Sequence, residues 1–236
     1  MPWYKRKIIS GNITEIYYFF SIRKRGNKSL PRSSKMNITP EEKQVINIRE
    51  ARLKLTRLIN TNFTHSDGFV RLSYKDRKID DATALKEFRK FMRRLRHYIS
   101  KNNLPELKYV AVTEKAKGRI HHHIIMNFTD AEVIRQLWNN GGMYIVNLWS
   151  EDYEGLAMYI TKETIRNEHG KRWSQSRNLT KPIVETEDMN KEPRNGPRIP
   201  KGHKMLESVC ATTVLGHKMW YVKTVKDGTK YFDSGG

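Results

Sequence analysis

The chain has 236 residues and a formal net charge of +20, set by 45 Lys and Arg against 25 Asp and Glu. That length fits one domain with elaborations or two small ones, and 11 Tyr, 8 Phe and 5 Trp argue against a disordered chain. The basic excess runs along the whole chain, so the expected partner is a polyanion: nucleic acid before an anionic membrane, since no long helix pairs a basic face with a Trp/Leu face.

Residues 5–9 and 15–22 read as two short strands joined by a Ser-Gly-Asn turn. A basic linker rich in Gly, Ser and Pro follows over 23–35. Thr39-Pro40-Glu41-Glu42 is a capping box with proline at the first helical position, and its helix should run to about residue 59. A strand over 68–74 precedes a helix over 81–99, where Leu85, Phe88, Met92, Leu95 and Ile99 recur every three or four residues. Residues 107–114 and 119–128 should form a hairpin around Lys-Ala-Lys-Gly. Thr129-Asp130-Ala131-Glu132 is a second capping box, whose helix should stop at Gly141-Gly142. A strand over 143–149 follows, and Ser150 is placed to cap a helix carrying Tyr159. Residues 166–202, rich in Arg, Lys, Pro and Asn, read as loop. Residues 218–225 and 229–232 read as a final hairpin around Asp227-Gly228.

From residue 68 to 149 the order is therefore β-α-β-β-α-β, the ferredoxin-like arrangement of a four-stranded antiparallel sheet with two helices on one face. The expected fold class is α+β. The whole chain reads as one domain with a core over about 60–165, an N-terminal hairpin and helix over 1–59, and a basic loop and C-terminal hairpin over 166–236. The single Cys210 leaves no internal disulfide or cysteine-based zinc site and fits a reducing compartment. The apolar run over 16–22 is too short to span a membrane and lacks a signal-peptide layout, so a cytoplasmic location with no membrane partner is expected.

The most informative residues are His121-His122-His123, which open the apolar run Ile124-Ile125-Met126. Alternate residues of a strand share a face, so His121 and His123 point one way and His122 joins Ile120, Ile124, Met126 and Phe128 on the other. Two imidazoles at that spacing can hold one metal ion. Glu114 ends the preceding strand. An even loop, such as Lys115 to Gly118, sets Glu114 opposite Arg119 and on the face of His121 and His123, whereas an odd loop turns it to the core. A carboxylate is costly on an apolar face, which favours the even loop. Two imidazoles and a carboxylate with open positions suit a catalytic divalent cation, Mg²⁺ or Mn²⁺. Later, Tyr159 and Lys162 stand at i and i+3 on the expected helix and so share a face. A tyrosine hydroxyl needs help to act as a nucleophile, which a metal ion and a lysine can supply.

Glu114, then Gly118-Arg119-Ile120-His121-His122-His123, then Tyr159-x-x-Lys162 resembles the pattern of the HUH endonucleases. It is most similar to the single-tyrosine replication initiators of rolling-circle plasmids and phages. Tyr109-Val-Ala-Val-Thr-Glu114 and Gly170-Lys-Arg-Trp-Ser-Gln-Ser-Arg-Asn-Leu179 add to the likeness, which covers roughly residues 60–182. The resemblance implies His121 and His123 as metal ligands with Glu114 as the third, Tyr159 as nucleophile and Lys162 as its companion. His122 stands where the family usually has a bulky apolar residue. Two-tyrosine members place the second one four residues earlier, which here is Gly155. Tyr153 falls about 600° around the helix from Tyr159, on another face.

The implied chemistry is site-specific nicking and joining of single-stranded or hairpin origin DNA through a covalent 5′-phosphotyrosine. Arg119, Arg172, Trp173 and Arg177 are candidates to hold phosphates and stack bases. The chain has no Gly-x4-Gly-Lys-[Ser/Thr] phosphate loop, so a host helicase and DNA polymerase, in a bacterial cytoplasm, are the expected partners. A transposase or relaxase of the same chemistry is the nearest alternative; the N-terminal strands, the helix from Pro40 and the Ser-Arg-Asn-Leu segment favour the initiator. A non-catalytic single-strand-binding module would explain the charge and aromatics but leave the histidine pair and Tyr159 without a role.

Overall fold

The computed structural model describes residues 3–21, 39–162, 171–213 and 216–228. The expected linker over 23–35 and the last strand over 229–232 fall outside the described residues. No helix among the described residues is long and apolar enough to cross a membrane.

The elements in chain order are β1 (Trp3–Ser10), β2 (Ile13–Phe20), α1 (Pro40–Asn62), β3 (Gly68–Ser73), α2 (Asp81–Lys101), β4 (Tyr109–Ala116), β5 (Arg119–Met126), α3 (Ala131–Leu137), β6 (Met143–Asn147), α4 (Glu154–Ile160), β7 (Ser174–Gln175), β8 (Ile183–Met189), β9 (His203–Thr212) and β10 (Lys218–Lys226). The class is α+β, with two antiparallel five-stranded sheets. The chain divides into two compact units: residues 62–180 form one, and 1–61 with 181–236 form the other.

The 62–180 unit has strand order β6-β3-β5-β4-β7. Its first four strands are the ferredoxin-like sheet expected from the element order. The repeat of apolar residues along α2 buries Phe88, Phe91, Met92, Leu95 and Ile99 against Val70, Leu72, Ile124 and Met126 of the sheet and Ile134 and Trp138 at α3. Asp80 caps α2, accepting from the Thr83 N–H at 2.9 Å. The cap of α3 is Asp130 rather than Thr129, because its carboxylate reaches the N–H groups of Glu132 and Val133, both at 3.1 Å. The helix ends at Leu137, short of the two glycines. The unit's ends are tied together: Asn62 Nδ2 donates to the Thr180 carbonyl and Thr180 N–H donates to Asn62 Oδ1, each at 2.8 Å.

In the other unit the sheet order is β8-β1-β2-β10-β9. Residues 166–202 were expected to be loop, yet they contribute β7 and β8; β10 forms over the expected strand 218–225 and lies between β2 and β9. β9 is exposed on both faces, so it lacks the alternation that marks a half-buried strand. The capping box of α1 forms as expected: Thr39 N–H meets Glu42 Oε2 at 2.9 Å and Glu42 N–H meets Thr39 Oγ1 at 3.2 Å.

A buried charge pins this unit together. Glu15 of β2 is 3% exposed and accepts from Arg57 Nε at 2.6 Å and Nη2 at 2.9 Å. Tyr17 at 2.8 Å and Tyr221 at 3.3 Å also donate to it. Burial first, then the Glu15 charge, holds both phenols well above their usual range, so they remain donors. Four hydrogen bonds from these three side chains satisfy the carboxylate as a buried ion requires. Replacing Arg57 by Met should therefore cost about 3 kcal/mol in urea denaturation, because it strands Glu15 inside. Adding Glu15→Gln to Arg57→Met should restore most of that loss.

Candidate active site

The β4–β5 hairpin sets the register of the site. Its turn is the two-residue Lys117-Gly118, with φ of 48° and 77°, the left-handed pair that two-residue hairpins use and that glycine adopts without strain. The even turn leaves Glu114 on the face of His121 and His123. β4 continues two residues further than expected, to Ala116, so Glu114 lies opposite His121 and not Arg119.

His122 faces the core. It is fully buried and stacked on Phe88 with ring centroids 4.3 Å apart. Tyr74 gives its only hydroxyl proton to the Ala84 carbonyl at 2.7 Å. The His122 Nε2–H therefore donates to the Tyr74 oxygen at 2.8 Å, and its Nδ1 accepts from Thr113 Oγ1 at 2.9 Å. Burial, with the charges of His123 and His121, depresses its pKa to about 3. His122 is thus a neutral core residue with both nitrogens engaged, which leaves His121 and His123 as the pair on the open face.

On that face His123 is buried and His121 half-buried. Both pKa values are lowered, by burial first. His123 Nε2 and Glu114 Oε2 lie 2.6 Å apart, and His123 Nδ1 is buried with no hydrogen-bond partner. Phe69 of β3 stacks on the His123 ring at 5.6 Å, and Tyr159 of α4 meets both rings edge-on, 6.3 Å from Phe69 and 5.5 Å from His123. Ala157 and Ile160 bury the other side of α4, which leaves Tyr159 50% exposed, while Tyr153 is 4% exposed. Arg71, next to Phe69 on this face, lies over the exposed Tyr144 ring of β6, its Cζ 5.5 Å from the centroid.

Two expectations change here. Ser150 does not cap α4; its hydroxyl donates to the Asp152 carbonyl at 2.7 Å and the helix starts at Glu154 without a side-chain cap. The helix ends at Ile160, so Lys162 sits in the following turn and not on the helical face of Tyr159, with its N–H 3.4 Å from the Tyr159 carbonyl. Arg119 is exposed at the start of β5, and its charge reaches His121. Arg172, Trp173 and Arg177 flank β7, two strands from β5 and so ~10 Å across the sheet. Trp173 Nε1 donates to Gln175 Oε1 at 2.9 Å.

The donor set of two imidazoles and a carboxylate fits a divalent cation with open positions. Among the described residues, however, no three such side chains already converge on one point, and His123 and Glu114 bond each other directly. Phe69, Arg71, Tyr74, Thr113 and Tyr144 were not singled out from the sequence. The alternation Phe69-Val70-Arg71-Leu72 could have found two of them, since it gives β3 an apolar face and a second face directed at the histidines.

Residues 67–164 match the family model for the replication-associated protein ORF2/G2P. The matched stretch begins just before β3 and ends just past α4, and it includes Glu114, His121, His123, Tyr159 and Lys162. It is similar to replication-associated proteins over these residues. Comparison with curated proteins and with solved structures gives no match.

The state of His122 has a measurable consequence. Unfolded histidine titrates near ~6.5 and folded His122 near about 3, so its stabilising effect is present above pH 6.5 and is lost as pH falls between those values. The loss is about 1.4 kcal/mol per pH unit. Between pH 7 and pH 5 the stability of wild type relative to His122→Gln should drop by about 2 kcal/mol in denaturation curves.

Proposed function

We propose that the open face of the 62–180 unit nicks and rejoins single-stranded DNA as a replication initiator, with Tyr159 as nucleophile. The observation that supports this best is the contact of the half-exposed Tyr159 ring with His123, 5.5 Å between centroids. It joins a phenol and a histidine–carboxylate cluster that lie 36 residues apart in sequence. The match of residues 67–164 to the replication-associated family adds the biological setting.

In this reading the Tyr159 oxygen attacks the scissile phosphorus and gives up its proton. A bond forms between that oxygen and phosphorus, the bond from phosphorus to the 3′-oxygen breaks, and the 3′-oxygen takes up a proton. The phosphoester count is unchanged, so the freed 3′-hydroxyl can reverse the step and rejoin the strand. Mg²⁺ or Mn²⁺ held by His121, His123 and Glu114 would supply positive charge to the phosphate. Phe69 holds the His123 ring flat and limits where Tyr159 can swing. Lys162, just beyond the helix, is placed to offset charge on the phosphate oxygens, and Arg119 to hold the strand near His121. Tyr144 with Arg71 offers a surface on which an unpaired base can stack. The substrate is origin DNA, single-stranded or extruded as a hairpin, and a host helicase and polymerase in a bacterial cytoplasm would extend the 3′ end.

Incubation with Mn²⁺ and a labelled single-stranded origin fragment should give a covalent protein–DNA adduct on a denaturing gel. Tyr159→Phe should remove it, and His121→Ala or His123→Ala should leave only traces that added metal does not increase. An adduct that persists in Tyr159→Phe would assign the chemistry to another tyrosine. Binding without any cleavage by the wild type would favour a binding module instead.

A further inference from the structure

The 1–61/181–236 unit holds a separate basic cavity. One wall is a sheet face. Lys5 pairs with Tyr18 and Lys7 with Ile16 across β1 and β2, so these four side chains share a face, and Met189 of β8 extends it. The other wall is the segment over 191–200, which crosses this face. Together they enclose a half-open cavity of about 630 Å³, several times the volume of one bound water's share and in the range of small-molecule sites.

The segment is seated and not merely draped. Pro197 is buried, and at Gly196 a Cβ would come within 2.8 Å of the Trp220 ring, so only glycine lets the backbone lie that close. This fixes Arg194 and Arg198 at the cavity rim, with Lys191 beside them. Lys5 and Lys7 already bridge to Glu187 at 3.2 Å and Glu185 at 3.6 Å. Lys191, Arg194 and Arg198 have no ion-pair partner among the described residues, and Glu192 is the one acidic residue in the lining. The cavity thus combines an apolar floor bearing a phenol ring with a rim of uncompensated cations. The surrounding sequence has the same sign: these two segments hold 24 of the 45 Lys and Arg but 11 of the 25 Asp and Glu.

We propose that this cavity binds a nucleotide, its phosphate held by Arg194, Arg198 and Lys191 and its base laid against Tyr18 and the apolar floor. Guanidinium forks suit phosphate oxygens, and an aromatic ring accepts any base by stacking. The nucleotide can be a link in a DNA strand or a free nucleotide, since both present the same phosphate and base. The site is independent of the nicking chemistry, and it can be tested with that chemistry switched off.

The test uses the full chain carrying Tyr159→Phe and follows the anisotropy of a fluorescent single-stranded oligonucleotide at several salt concentrations. Arg194→Ala/Arg198→Ala changes two exposed loop residues, and an unchanged melting temperature would verify the fold. Binding should weaken about tenfold at low salt, and the dependence of log K on log salt should flatten by roughly 1 to 2. Arg6→Ala/Lys204→Ala removes the same charge from the opposite face of the sheet and should have a clearly smaller effect. A 5-iodouracil oligonucleotide should photo-crosslink to the peptide containing Tyr18. Displacement by millimolar deoxynucleoside triphosphate would assign the site to a free nucleotide, and displacement by unlabelled oligonucleotide alone to a strand. Equal losses in the two double variants, or no crosslink at Tyr18 together with unchanged affinity in Arg194→Ala/Arg198→Ala, would overturn the proposal.

Discussion

The site depends on the alternation of one strand. Along β5 successive side chains face opposite ways, so three consecutive histidines divide into one core residue and two on the open face. The division is enforced chemically. The hydroxyl of Thr113, both nitrogens of His122, the Tyr74 hydroxyl and the Ala84 carbonyl form a chain in which every donor has its acceptor. Turning the strand by one residue would put two imidazoles among Phe88, Phe91 and Leu95 without partners, a cost of several hydrogen bonds. The core thereby holds the open-face histidines in place, and a residue with no part in the chemistry aims those beside it.

Much of the 62–180 unit was legible because its signals are local. The apolar repeat of α2, the alternation of β5 and the Lys117-Gly118 turn each specify their own backbone, and their order gives the ferredoxin-like sheet. The faces of His121 and His123 followed from parity alone, and that of Glu114 from parity with the cost of burying a carboxylate. Phe69 and Tyr74 were not legible as neighbours of these histidines, because their contacts cross the sheet and a single sequence carries no register between β3 and β5. The position of Lys162 depended on where α4 stops, and helix ends are poorly marked when, as at Thr161, no glycine or proline follows.

The other unit was legible at its beginning and at β10. β1, β2 and the cap of α1 stand out, but they pair with strands more than 160 residues later in the chain. β8 runs Ile-Val-Glu-Thr-Glu-Asp-Met and places its acidic residues beside Lys5 and Lys7, so its composition resembles a loop until its partner is known. Glu15 looks like an ordinary strand-surface residue in sequence. Only the fold brings Arg57, Tyr17 and Tyr221 around it.

The reciprocal hydrogen bonds between Asn62 and Thr180 have a bearing on biogenesis. They close the 62–180 unit on itself at the two points where it interrupts the other sheet. As the nascent chain leaves the ribosome, every strand of this inserted unit is available once residue 180 has emerged. β1 and β2 must wait for β8 and β10 before their sheet can be completed. Domains generally fold as units during synthesis, so the inserted unit matures first and the other sheet is completed only after the insert is ordered.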